Sequence, residues 1–143
     1  MGERPRRDTL RAHGDTSLAA GAAALLRSIH PTHSPDEIIS ALMLTARPSI
    51  TELGLPTTPH EQGSGMVDVA LAARAGLYLD VAAGAFELPR ADPSTGGAED
   101  LNLPSLAHGA CFRTCTLSRT FRLMPGAGIG NYSIQTSVDA GAT

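Results

Sequence analysis

Ser17 is the side chain best placed for chemistry. It follows Gly14-Asp15-Thr16 and leads straight into Leu18-Ala19-Ala20-Gly21-Ala22-Ala23-Ala24-Leu25-Leu26, a pattern that predicts a hydroxyl at a helix entrance. At an N-cap its oxygen would accept from backbone N–H groups two or three residues on. The same N–H groups, with the helix dipole, would suit a developing oxyanion. Such a serine is a candidate nucleophile, and it requires a base within hydrogen-bond reach and a group that orients the base. The competing reading is a cap with no chemistry.

The chain has five histidines, and their positions do not supply that base. His30 and His33 lie past the far end of the helix, roughly 18 Å from Ser17 at about 1.5 Å per residue. His13 is close in sequence but has no spacing that makes it a base, and His60 and His108 fall in loops. The pair His30-x-x-His33 lacks the i, i+4 spacing and the glutamate of a zinc-protease helix, so neither a metal nor another cofactor is expected. Asp36 and Glu37 read as first-turn helix charges rather than paired catalytic carboxylates. Cys111 and Cys115 make neither a metal site nor a framework by themselves. In an exported protein they would close a small disulfide loop, and in a cytosolic one they would be two thiols. Asn131-Tyr132-Ser133 matches the N-glycosylation acceptor pattern.

The Ser17 stretch resembles the active-site serine segment of the subtilisin-like serine proteases, written Gly-Thr-Ser-Met-Ala-x-Pro-His-Val-Ala-Gly. Here Asp15 is inserted after the glycine, Leu18 replaces methionine, and four residues including Pro-His-Val are missing before Ala20-Gly21. Two later segments are similar to the same family. His30 to Ala46 matches a Pro-x-x-Ser-Pro start followed by Ile-x-x-Ala-Leu-x-x-Thr-Ala, and Gly63-Ser64-Gly65-Met66-Val67-Asp68 matches the Gly-x-Gly-x-Val-Asp entrance to the final helix of the catalytic domain. The resemblance implies that Ser17 takes the nucleophile's place. The run Leu101-Asn102-Leu103-Pro104-Ser105-Leu106, through Cys111, Cys115 and Ser118-Arg119-Thr120, resembles the start of the fibronectin-III-like β-sandwich of larger members.

The elements that must position Ser17 follow from the pattern. Leu18 to His30 is apolar on nearly every face and reads as a helix buried all round. Its basic approach also imitates a signal peptide, but Arg27-Ser28-Ile29-His30 stands where a small-residue cleavage site belongs. Ser34-Pro35-Asp36-Glu37 is a capping box that starts a second helix at Pro35, ending before Arg47-Pro48. Residues 49–65 read as a surface loop, Asp68 caps a third helix over Val69 to Ala75, and Leu77 to Val81 reads as a short apolar connection. Thr116 to Met124 and Asn131 to Val138 alternate as two strands joined by the Pro125–Gly130 turn.

Residues 1–13 are thus expected to be a poorly ordered N-terminal segment, 14–81 the C-terminal part of a subtilisin-like catalytic domain, 82–105 a linker and 106–143 a partial fibronectin-III-like segment. The fold class is α/β, a C-terminal helical portion followed by a partial β-sandwich. Much of the apolar content is alanine and there is no tryptophan, so a self-sufficient core is not expected. A net charge of −3 with no basic excess argues against nucleic acid, and no apolar run reaches membrane-spanning length.

The resemblance implies a secreted serine endopeptidase that cleaves polypeptides through an acyl-enzyme on Ser17 in the complete parent. The family's aspartate, histidine and oxyanion asparagine come from upstream segments not found in this sequence, so the chain alone is expected to be inactive. The alternative from another class is a small non-catalytic protein that acts by binding.

Overall fold

The computed structural model describes residues 6–48, 63–87, 98–106 and 113–133. Three helices, α1 (Arg6–Ile29), α2 (Pro35–Leu44) and α3 (Val69–Ala72), pack together and are flanked by a two-stranded antiparallel sheet of β1 (Leu77–Leu79) and β2 (Phe121–Leu123). Short 3-10 turns occupy Ala83–Phe86 and Ala98–Asp100. The arrangement is α/β.

α1 departs from expectation twice. It begins at Arg6, not at Ser17, so the backbone of 6–13 is helical where a loose segment was expected. Arg6, Arg7, Leu10, Arg11 and Ala12 are strong helix formers and favour the early start. The helix is also not buried all round. Ala22 and Leu26, one turn apart, are covered, whereas Leu18 is 74% exposed and Leu25 and Ile29 are each 56% exposed. Within the described residues α2 and α3 contact one stripe of α1, which leaves the remaining apolar surface to solvent.

α2 forms as its sequence dictates. The Ser34 hydroxyl accepts from the Glu37 N–H (3.2 Å), while the Ser34 N–H donates to Glu37 Oε2 (2.7 Å), and Pro35 fills the first helical position. Two orphan donors are thereby satisfied. Its Ile38, Ala41 and Leu42 meet Ala22 and Leu26 of α1, Ala72 of α3 and Met124 in one core. Three of these seven side chains are alanines, which let the helices approach closely but each remove little apolar area from water.

The strand pairing differs from the expected hairpin. Leu77, Tyr78 and Leu79 pair with Leu123, Arg122 and Phe121, so the stretch read as a connection is a strand and its partner lies far along the chain. Residues 131–133 form no strand, and 134–138 fall outside the described residues. Met124 donates its N–H to the Gly76 carbonyl (2.9 Å), continuing the ladder, and then turns its side chain into the helical core. The sheet is tied to α2 by the Leu79 N–H, which donates to the buried Ser40 hydroxyl at 2.7 Å. The loop read over 49–65 lies mostly outside the described residues, as does Cys111; Cys115 is disulfide-bonded.

Candidate functional site

Ser17 lies well inside α1 and is exposed, with Leu18 exposed beside it. The expectation of a serine at the helix entrance is therefore corrected. An interior helical residue commits its N–H to the carbonyl four residues earlier, so the free N–H groups that would cradle an oxyanion belong to the first turn after Arg6 and not to Leu18–Ala20. His13 precedes Ser17 by one turn of the same helix.

The other two family-like segments meet at a corner that is well built. Arg47, just past α2, and Met66 exchange backbone hydrogen bonds of 2.8 and 2.7 Å as an isolated antiparallel bridge. Gly63 and Gly65 both have positive φ, +58° and +111°. A Cβ at Gly65 would stand 2.3 Å from the Arg47 carbonyl oxygen, so the second glycine of Gly-x-Gly-x-Val-Asp is required by both its φ and the approach of another backbone. Asp68 ends the motif as the N-cap of α3, accepting from the Leu71 N–H at 2.9 Å, and pairs with Arg47 Nε at 2.5 Å. The Leu71 N–H holds the Asp68 carboxyl below the usual carboxylate range against the opposing effect of burial, and Arg47 adds to the lowering.

His30 and His33 belong to a second cluster, remote from Ser17 along the helix. Their rings stack with centroids 4.5 Å apart and planes within 6°. The His30 Nε2 donates to the Ala73 carbonyl (2.9 Å), and His33 Nε2 donates to the Pro125 carbonyl at a longer 3.4 Å. Arg27 donates from its guanidinium to the His33 carbonyl. These contacts pin the α1–α2 turn to the end of α3 and to the turn after β2. Both imidazoles are engaged by backbone carbonyls, and among the described residues no group of three or more His, Cys, Asp or Glu side chains is arranged to hold a metal.

A third locus was not foreseen. Asn102 pairs its side-chain amide with the backbone of Thr120, Nδ2 donating to the carbonyl (2.9 Å) and Oδ1 accepting from the N–H (2.8 Å), and Nδ2 also donates to the Asp80 carbonyl (3.1 Å). The Arg119 guanidinium donates to the carbonyls of Leu103 (2.6 Å), Ser118 (2.8 Å), Glu99 (2.9 Å) and Ser105 (2.8 Å). The two side chains clasp 98–106 onto the approach to β2. Behind the clasp, a largely apolar cavity of about 180 Å³ is lined by Ile39, Met43, Leu79, Val81, Leu103 and Pro104, with Asp36 also among its lining residues.

No protein-family model matches the chain. Curated proteins do. The chain is 40% identical over 70 residues to subtilisin-like protease SBT1.7 of Arabidopsis thaliana, an alignment covering 43% of this chain and 9% of the relative. It is 38% identical over 89 residues to SBT1.6 (54% and 12%) and 33% identical over 132 residues to SBT5.6 (78% and 16%), both from the same plant. The chain belongs to the subtilisin-like protease family. It spans between 9% and 16% of the length of these relatives. Of the three family-like segments, the second and third are folded as capped, bridged elements, whereas the serine segment is absorbed into a longer helix.

Proposed function

We propose that this chain is the serine-bearing segment of a secreted subtilisin-like serine endopeptidase, with Ser17 as nucleophile in the complete enzyme and a polypeptide as substrate. The alignments to curated subtilisin-like proteases carry the reading. The exposed Leu18, Leu25 and Ile29 support it, because an apolar helix face of this kind calls for more protein around it. Upstream catalytic-domain segments would supply the aspartate and histidine, and 106–143 would open a fibronectin-III-like module. The disulfide at Cys115 fits an oxidising, extracellular destination.

By itself the chain is expected to be inactive, since its serine sits inside a helix and His30 and His33 are engaged by carbonyls. The test is labelling with a fluorophosphonate serine probe, on the chain alone and after co-expression with the upstream portion of a relative, each beside Ser17→Ala. No labelling alone and Ser17-dependent labelling in the pair is the expected outcome. Labelling of the chain alone that vanishes in Ser17→Ala overturns the inactivity, and a soluble pair that never labels overturns the nucleophile. The interior position of Ser17 favours the second reading, a non-catalytic binding protein, for which cooperative unfolding of the chain without a partner would speak.

A further inference from the structure

Asn131-Tyr132-Ser133 lies just past the turn that follows β2, outside any helix or strand, and all three residues are exposed. Tyr132 lies over Gly76, its phenol oxygen 2.7 Å from where a Cβ on that glycine would stand, and it remains 49% exposed. The preceding Ile129 is 96% exposed. The acceptor tripeptide thus meets the body of the protein at its middle residue while its asparagine and serine stand in solvent. An exposed position outside regular structure is what a bulky, solubilising sugar requires. The other asparagine of the sequence, Asn102, precedes Leu103-Pro104, so it lacks the pattern, and its amide is committed to backbone groups.

We infer that Asn131 is an N-glycosylation site. The compartment rests on the secreted reading above, and the Cys115 disulfide supports it independently, because disulfides form in the same oxidising lumen where oligosaccharide is transferred. In the transfer, the Asn131 amide nitrogen forms a bond to the anomeric carbon of a lipid pyrophosphate-linked oligosaccharide. The bond from that carbon to the pyrophosphate oxygen breaks, the lipid pyrophosphate leaves with the electron pair, and the amide gives up one proton. No oxidant or reductant is involved.

The full chain, fused behind a cleavable leader, is translated in the presence of microsomes and also secreted from a plant cell line. With no lysine in the sequence and Arg122 its last arginine, trypsin releases 123–143 with Asn131 as its one asparagine. Occupancy is read as a glycan mass on that peptide, replaced by aspartate at 131 after amide-cleaving glycosidase. The expected result is a glycan on wild type and on Ser133→Thr, and complete loss in Asn131→Gln and Ser133→Ala. A lumenal chain with Cys115 oxidised and Asn131 unmodified overturns the site. That result leaves the protease reading intact, because probe labelling of Ser17 does not depend on the sugar.

Discussion

Replacing Gly65 with alanine tests the corner that joins the two folded family-like segments. A Cβ there would lie 2.3 Å from the Arg47 carbonyl oxygen and 3.0 Å from its carbon, about 1 Å inside ordinary contact. The bridge must open. Its two hydrogen bonds contribute about 1 kcal/mol each, and a Cβ-bearing residue at φ +111° costs roughly 1–3 kcal/mol in backbone strain. With partial relaxation the loss should be about 2–4 kcal/mol. Gly63→Ala is the internal control, because its φ of +58° is left-handed but nothing lies within 4 Å of the new methyl; it should cost only about 1 kcal/mol. Urea unfolding at a slope of about 2 kcal/mol per molar would then place the Gly65→Ala midpoint roughly 1–2 M below wild type. Hydrogen exchange at the Arg47 and Met66 amides should accelerate in Gly65→Ala and stay unchanged in Gly63→Ala. Equal losses in the two variants, or a Gly65→Ala loss within about 0.5 kcal/mol of wild type, would refute the close-approach argument.

Two further outcomes follow from the same geometry. Arg119→Lys keeps a charge but not the fork that reaches four carbonyls, so it should destabilise by about 1–3 kcal/mol and make 98–106 the first site of limited proteolysis; unchanged cleavage there would remove the clasp from the account. Asp68 has a folded-state pKa lowered first by the Leu71 N–H and further by Arg47, so its contribution is present above the ordinary carboxylate range and is lost as pH falls through the depressed value. Asp68→Asn keeps a capping acceptor and removes the charge, so its deficit relative to wild type should be full near neutral pH and shrink on acidification. A deficit independent of pH would contradict the assignment.

What was legible in the sequence is local chemistry. Ser34 and Glu37 lie three residues apart and satisfy each other's backbone groups, and Asp68 accepts from the Leu71 N–H three residues on, so type and spacing suffice to place both helix starts. The second glycine of Gly63-x-Gly65 could be spotted, but its cause is the Arg47 carbonyl, which the sequence does not bring near. The same limit hid β1. Leu77 to Leu79 is too short to alternate visibly, and its partner Phe121 to Leu123 is chosen by tertiary packing, with Met124 entering a core made by the helices. His30 and His33 reach carbonyls 43 and 92 residues away, and neither contact leaves a periodic trace.

The two departures in α1, its early start and its bare apolar face, have one energetic origin. From Thr16 to Gly21 every side chain is exposed, so burial does not hold that part of the helix and intrinsic propensity decides its local geometry. That decision is weakly held, since ordinary residues differ by at most about 0.7 kcal/mol each and one glycine costs about 1 kcal/mol. Leu18, Leu25 and Ile29 represent a larger reserve. They are 74%, 56% and 56% exposed, so covering what is still open is worth about 1–2 kcal/mol each, or about 3–6 kcal/mol together, which reaches the low end of the total stability of a typical domain at about 5–15 kcal/mol. A protein surface docked on that face therefore outweighs the local preferences that carry α1 back to Arg6, and it can set a new helix start if its own geometry demands one. On this balance an exposed serine inside a helix here is compatible with a serine at a helix entrance in the complete fold.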